Sequence, residues 1–214
     1  MHRKSKNMLG FFAFTLLVSA LFFAFSKEGG NSDLTANKIG GLGLYQTKDC
    51  GSCHTLGAEN DGKLTAMKSN RNDSDRKWFM IHIGEHSKPT LREPRRNTAS
   101  SIGRVHRAEA KVLSAFLFDA SADEKKRISE MEANIVNGGM LFAGNCSRCH
   151  MVAGEGGDSG PELNRIGAQK DAEWLMKNLV DPSQFSPDTD MPSFEDKLTE
   201  EQRKMVVDYM LTLQ

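Results

Sequence analysis

The runs Cys50-Gly51-Ser52-Cys53-His54 and Cys146-Ser147-Arg148-Cys149-His150 decide how this chain is read. They hold all four of its cysteines, so none is left over for a disulfide. Cys-x-x-Cys-His is the spacing of a haem attachment site. Two thiols add across the two vinyl groups on one edge of the porphyrin, and the adjoining histidine reaches the iron from the same side. A structural zinc site needs four ligands, usually as two Cys-x-x-Cys pairs at close spacing. Here the pairs lie 96 residues apart, each with its own histidine. A single run could be a redox dithiol. Two runs with no other cysteine point to two covalently bound haem c groups, held through Cys50, Cys53, Cys146 and Cys149, with His54 and His150 on the irons.

Composition agrees with this reading. Of the 214 residues, 38% are hydrophobic and only 7% aromatic. That is thin for two cores, because small domains bury a limited share of their surface. A prosthetic group in each core would supply the missing apolar bulk. At about 100–150 residues per domain, the length leaves room for one or two small domains.

Residues 1–30 read as a targeting segment outside the fold. His2, Arg3, Lys4 and Lys6 form a basic start, and Leu9 to Phe25 is a 17-residue run without charge. The pattern places the amino end in the cytoplasm and the remainder outside it. Haem attachment in bacteria takes place on that outer side, so the expected location is the bacterial cytoplasmic membrane with the haem domains facing the periplasm. A span needs about 17–25 apolar residues, and a signal-peptide core is usually about 7–15. The run therefore reads as an uncleaved membrane anchor. The alternative is a signal peptide cut near Val18-Ser19-Ala20 or Ala24-Phe25-Ser26.

The chain contains a repeat, which sets the organisation of the rest. Gly41-Leu42-Gly43-Leu44-Tyr45 and Gly138-Gly139-Met140-Leu141-Phe142 each lead within five residues to a first cysteine. Trp78-Phe79-Met80-Ile81-His82-Ile83 matches Trp174-Leu175-Met176-Lys177-Asn178-Leu179, both with apolar residues at helical spacing. Each copy closes with an apolar helix, Val105 to Phe118 and Leu198 to Leu213. In the second, Thr199 followed by Gln202 makes a capping box. The expected domains are 37–118 and 133–214, joined by a charged, partly helical connector at 119–132 that leaves their relative orientation free.

These features resemble the class I, mitochondrial-type cytochrome c family over residues 39–118 and 133–213. The resemblance implies an all-α fold of two tandem domains, each a few helices around a covalent haem. It also implies that a glycine of the first helix lets the last helix cross it closely. Gly138 or Gly139 with Tyr209, and Gly41 or Gly43 with Phe116, fit that crossing. Gly160-Pro161-Glu162-Leu163 looks like the family's segment whose proline carbonyl orients the iron-bound histidine. Met191, in Asp190-Met191-Pro192, stands where the family carries its sulfur ligand, 41 residues after His150. A lone methionine is usually core filler, but one beside a proline in a polar loop has no periodic apolar face to fill. His/Met ligation raises a haem potential and leaves no open position.

Copy one departs from the pattern. With Pro89 set on Pro182, Pro94 falls on Pro187, Ser100 on Ser193, Val105 on Leu198 and Thr98 on Met191. The family's methionine is absent, and Gly62-Lys63-Leu64 replaces Gly-Pro-x-Leu. His86 lies in a short stretch that copy two lacks and is the candidate sixth ligand. His82 and His106 read better as helix residues, Met67 and Met80 as core, and an open or weakly ligated iron is the remaining alternative. Losing the methionine should lower the potential of this haem relative to the other.

Charge is balanced at 28 basic and 28 acidic residues but unevenly placed. Residues 63–111 carry 12 Lys and Arg against 5 Asp and Glu, and residues 131–214 carry 7 against 14. Such blocks steer association where they are more than solvated surface. The basic half would then meet an acidic partner or anionic lipid, and the acidic half a different partner. The basic run lacks an aromatic-rich binding pattern, so nucleic acid is not an expected partner.

The function expected is single-electron transfer between a membrane quinol-oxidising complex, or another redox protein, and a downstream acceptor, with no catalytic residues. Two alternatives use an open first haem. One is a dihaem enzyme of the peroxidase or sulfur-compound type, for which the chain has little room. The other is a gas or redox sensor, for which no transmitter domain is evident.

Overall fold

A computed structural model of the chain describes residues 33–52, 56, 77, 79–81, 83 and 105–214. Its first helix, α1 (Ala36–Thr47), begins where the Thr35 side chain accepts the Lys38 N–H at 3.2 Å. A surface helix buries one stripe, but α1 buries the unbroken run Ile39 to Tyr45. Helices therefore cover it on several sides.

Helix α2 (Arg107–Ser114) follows the exposed His106, whose N–H donates to Glu109 Oε2 at 2.7 Å. It runs on as a π-helical turn, Ala115–Asp119. A short helix α3 (Ala122–Ser129), started by a Ser121–Glu124 capping box, occupies the connector. Helix α4 (Ala133–Asn145) leads into Cys146. A hairpin of β1 (Met151–Val152) and β2 (Glu155–Gly156), the short α5 (Ile166–Gln169), α6 (Ala172–Val180) and α7 (Glu200–Leu211) complete the order. Among the described residues the structure is all-α apart from that hairpin.

Glycines set how these helices meet. A Cβ on Gly138 of α4 would overlap Met205 O of α7 and lie 2.9 Å from Tyr209 Cβ. A Cβ on Gly41 of α1 would overlap Phe116 Cβ and lie 2.7 Å from Val112 O. The two crossings have the same construction, a glycine under one carbonyl and one Cβ a helical turn further on. Of the alternatives offered by the sequence, Gly138 and Gly41 are the crossing residues. Phe142 stands edge-on to Tyr209 at 5.2 Å, and Asn134 Nδ2 donates to Asp208 Oδ2 at 2.7 Å across α4 and α7.

A third crossing joins α1 to α4. Here a Cβ on Gly40 would lie 2.7 Å from Met140 Cα, and one on Gly139 would lie 2.7 Å from Ile39 Cγ2. The connector alone leaves the relative orientation open, and this packing decides it: the helices that precede the two Cys-x-x-Cys-His runs meet backbone to backbone. Helix α3 reinforces the join, with Lys38 on Glu124 at 2.7 Å and Arg127 forked onto Asp33 at 2.7 Å. Solvent-accessible ion pairs such as Arg127–Asp33 are worth about 0–1 kcal/mol each and Lys38–Glu124 is only partly buried, so the close crossing is the larger constraint.

Lys77, Phe79, Met80, Ile81 and Ile83 are helical, as expected for the middle helix of copy one. Phe79 is buried edge-on to Phe118 at 5.2 Å, and Met80 packs half-buried on the same core. The expected anchor segment, residues 1–30, lies outside the described residues. Among the described residues, no helix is long and apolar enough to cross a membrane.

Two glycines should respond to alanine with opposite signs. Gly40→Ala meets backbone atoms that cannot yield, and it should destabilise the folded chain by about 1–3 kcal/mol. Gly144→Ala has nothing within 4 Å and should stabilise it by about 0.5–1 kcal/mol. Urea unfolding of both variants against the parent checks this.

Candidate functional site

Helix α4 ends by unwinding into turns. Cys146 N–H donates to Phe142 O at 2.8 Å, and the N–H groups of Cys149 and His150 both donate to Cys146 O at 3.0 Å. This winding gathers Cys146, Cys149 and His150 at the helix end. Cys146 is buried and Cys149 exposed. Burial, aided by the neighbouring Cys149, pushes the Cys146 thiol up to about 12.

The hairpin then turns the chain back over the motif. Met151 pairs with Gly156 and Val152 with Glu155, around a turn with φ of 53° at Ala153 and 76° at Gly154. Positive φ at both central residues is what the type I′ turn of a two-residue hairpin requires. Gly157 N–H donates to Ser147 O at 3.0 Å and Gly160 N–H to Cys149 O at 2.8 Å. Asn164 fixes the far side, accepting the Ala153 N–H at 2.7 Å while its amide donates to Glu162.

These bonds deliver Gly160-Pro161 to His150. The Pro161 carbonyl lies 2.8 Å from His150 Nδ1. A carbonyl can only accept, so Nδ1 carries the proton and Nε2 keeps its lone pair for a metal. Gly160 lies flat against the ring, where a Cβ would stand 2.7 Å from His150 Cε1 and 2.8 Å from Nδ1.

The opposite wall comes from α6, the loop after it and α7. Asp171 caps α6 by accepting the Trp174 N–H at 2.8 Å, and Trp174 rests on Phe185 with ring centres 4.8 Å apart. The half-buried Met191 donates its N–H to Thr189 Oγ1 at 3.1 Å. Two residues on, Ser193 Oγ donates to Val180 O at 2.6 Å, and Phe194 N–H to Leu179 O at 2.8 Å. The Thr199–Gln202 capping box then starts α7 as the sequence predicts.

Between the walls lies a cavity of about 700 Å³, within the roughly 300–1,000 Å³ of small-molecule and cofactor sites. Cys146, Cys149, His150 and Met191 all line it, with Phe142 and Leu179 among the apolar residues. Two thiols, one imidazole with a free Nε2 and one thioether in an apolar cavity are the donors that a covalent haem takes. Among the described residues, no three His, Cys, Asp or Glu side chains converge to hold a metal ion by themselves.

The Cytochrome c family model matches residues 135–214. No curated protein and no solved structure matches the chain. Residues 135–214 thus carry a c-type cytochrome domain. The match supports a haem-based electron-transfer role, and a cytochrome c domain implies covalently bound haem c.

In copy one, Cys50 is buried and opens a 3₁₀ turn, Cys50–Ser52, directly after α1. Cys53, His54, His82, His86 and Thr98 lie outside the described residues. Sequence reasoning missed three residues that shape the cytochrome c domain. Asn164 ties the hairpin to the Pro161 segment. Gly167 lets α5 meet the end of α7, where a Cβ would stand 2.5 Å from Leu211 O. Arg203 reaches the carbonyls of the loop after Met191.

Gly160→Ala should displace the His150 ring and weaken its bond to Pro161. With that bond goes part of the basicity it lends Nε2. The expected outcome is an altered iron–histidine vibration and a shifted reduction potential in haem-loaded protein that still folds.

Proposed function

We propose that this protein is a membrane-associated dihaem cytochrome c. It transfers single electrons between a quinol-oxidising complex and a downstream acceptor on the periplasmic side of a bacterial cytoplasmic membrane. The observation that carries the reading is the single cavity bordered by Cys146, Cys149, His150 and Met191, with His150 Nδ1 on Pro161 O at 2.8 Å. In this reading Cys146 and Cys149 would attach the porphyrin, and His150 and Met191 would supply the ligands of its iron.

Haem, when bound, supplies a one-electron couple. The chain's own groups set its conditions. The Pro161 carbonyl fixes the tautomer and direction of His150. Met191 would supply the second ligand, which favours outer-sphere transfer over substrate binding. The apolar side chains that line the cavity would exclude water from it.

Support for a second haem comes from copy one. Gly41 makes with Val112 and Phe116 the crossing that Gly138 makes with Met205 and Tyr209, and Cys50 follows the end of α1 by three residues where Cys146 caps α4. The repeat has no methionine at Thr98, so the His54 haem takes another ligand, with His86 the first candidate. His82 joins it, because its counterpart in the repeat, Asn178, lines the cavity of copy two. A haem at His54 would then have the lower potential, so electrons would enter there and leave through the one at His150.

Haem content and potentiometry test this together. The full chain should carry two haems and titrate in two waves, and Met191→Leu should lower only the higher one. A single haem, or a His54 haem of higher potential than the His150 haem, would sink the proposal. Reduced protein should leave carbon monoxide unbound at both irons; rapid, full binding at one would point instead to an enzyme or sensor.

A further inference from the structure

The loop after Met191 closes on a single side chain. Arg203, in the first turn of α7, directs Nη1 at three carbonyl oxygens: Leu198 at 2.5 Å, Glu195 at 2.7 Å and Phe194 at 3.2 Å. Those carbonyls belong to one turn, in which Leu198 N–H donates to Phe194 O at 3.1 Å, and the guanidinium head fills it. Arginine usually spends its charge on a carboxylate. Among the described residues Arg203 makes no such pair, and its Nε is buried without an acceptor. A cation partly removed from water and held on backbone oxygens fixes the path of the main chain, whatever side chains the loop carries.

The turn's first residue, Phe194, is also tied to Leu179 O, and Ser193 to Val180 O. The stretch that begins two residues after Met191 is therefore clamped between the end of α6 and Arg203. On the other side of Met191 the bond to Thr189 is internal to the loop. We propose that Arg203 is the positioning residue for Met191, holding the loop so that the thioether stays in the cavity and resists replacement by other ligands. The proposal rests on Met191 being the sulfur ligand of the His150 haem.

The test uses the oxidised, haem-loaded full chain and the absorption band of the iron–methionine bond, which reports that haem alone. Imidazole and rising pH are used to bleach the band. Arg203→Met keeps the apolar stem and removes every donor. A charge-assisted hydrogen-bond set is worth enough to shift such an equilibrium about tenfold or more. In Arg203→Met, half-bleaching should need about tenfold less imidazole, and the alkaline midpoint should fall by about one pH unit. Arg203→Lys, which keeps a charge but not the fork, should fall between. If Arg203→Met fails to load haem, the Lys variant carries the test, and an unshifted midpoint there overturns the proposal.

A lower melting temperature with unchanged imidazole and pH midpoints would make Arg203 merely structural and overturn its positioning role. Absence of the band from the parent protein, or its survival in Met191→Leu, would instead overturn the Met191 assignment beneath it. These two failures are distinguishable.

Discussion

Two helices can approach until backbone touches backbone only where a side chain is missing. Most of this structure follows from where that happens. Gly138 lets α7 lie on α4, which seats Tyr209 against Phe142 and brings the end of α4, with Cys146, under the last helix. Gly41 does the same for α1 and the helix ending at Phe116. Gly40 and Gly139 then fit the two pairs to each other. Any side chain at these positions would compete with packed backbone, and tight interiors absorb such volume poorly.

The site is an outcome of that packing. Once α4 is fixed, its unwinding end presents two thiols and an imidazole in a fixed order. The hairpin and Pro161 orient the imidazole, while α6 and α7 define the far wall that carries Met191. Each element is short and polar in its loops, so the cavity is held by hydrogen bonds at its rim and by apolar contact at its base. This division suits a group that must be enclosed by apolar side chains while its ligands stay in fixed directions.

Much of this was legible in the sequence because the chemistry is local. Cys146 to His150, Gly160-Pro161 and Thr199 with Gln202 each act over a few residues, so their spacing carries their meaning. The crossing glycines were legible through the repeat, although adjacent glycines left open which one faced which helix. The hairpin was not legible: four paired residues are too few for alternation to show, and Ala153 gives no turn signal despite its φ of 53°. Arg203 was hidden for another reason. Its acceptors are main-chain carbonyls, which every residue possesses, so no pattern of side chains announces them. The α1–α4 contact was equally silent, because the connector's length allowed many orientations and only packing selects one.

That contact bears on how the chain can be divided. Val136, Gly139 and Met140 on one helix and Ile39, Gly40 and Gly43 on the other form two matching faces, apolar and notched. A cut in the connector would leave each half with such a face open to water. Each fragment would then carry a ready surface for pairing with a copy of itself, since a notch that accepts one close helix can accept another. Half-proteins made by such a cut would tend to be dimers, and what is measured on them would belong to the dimer rather than to the chain.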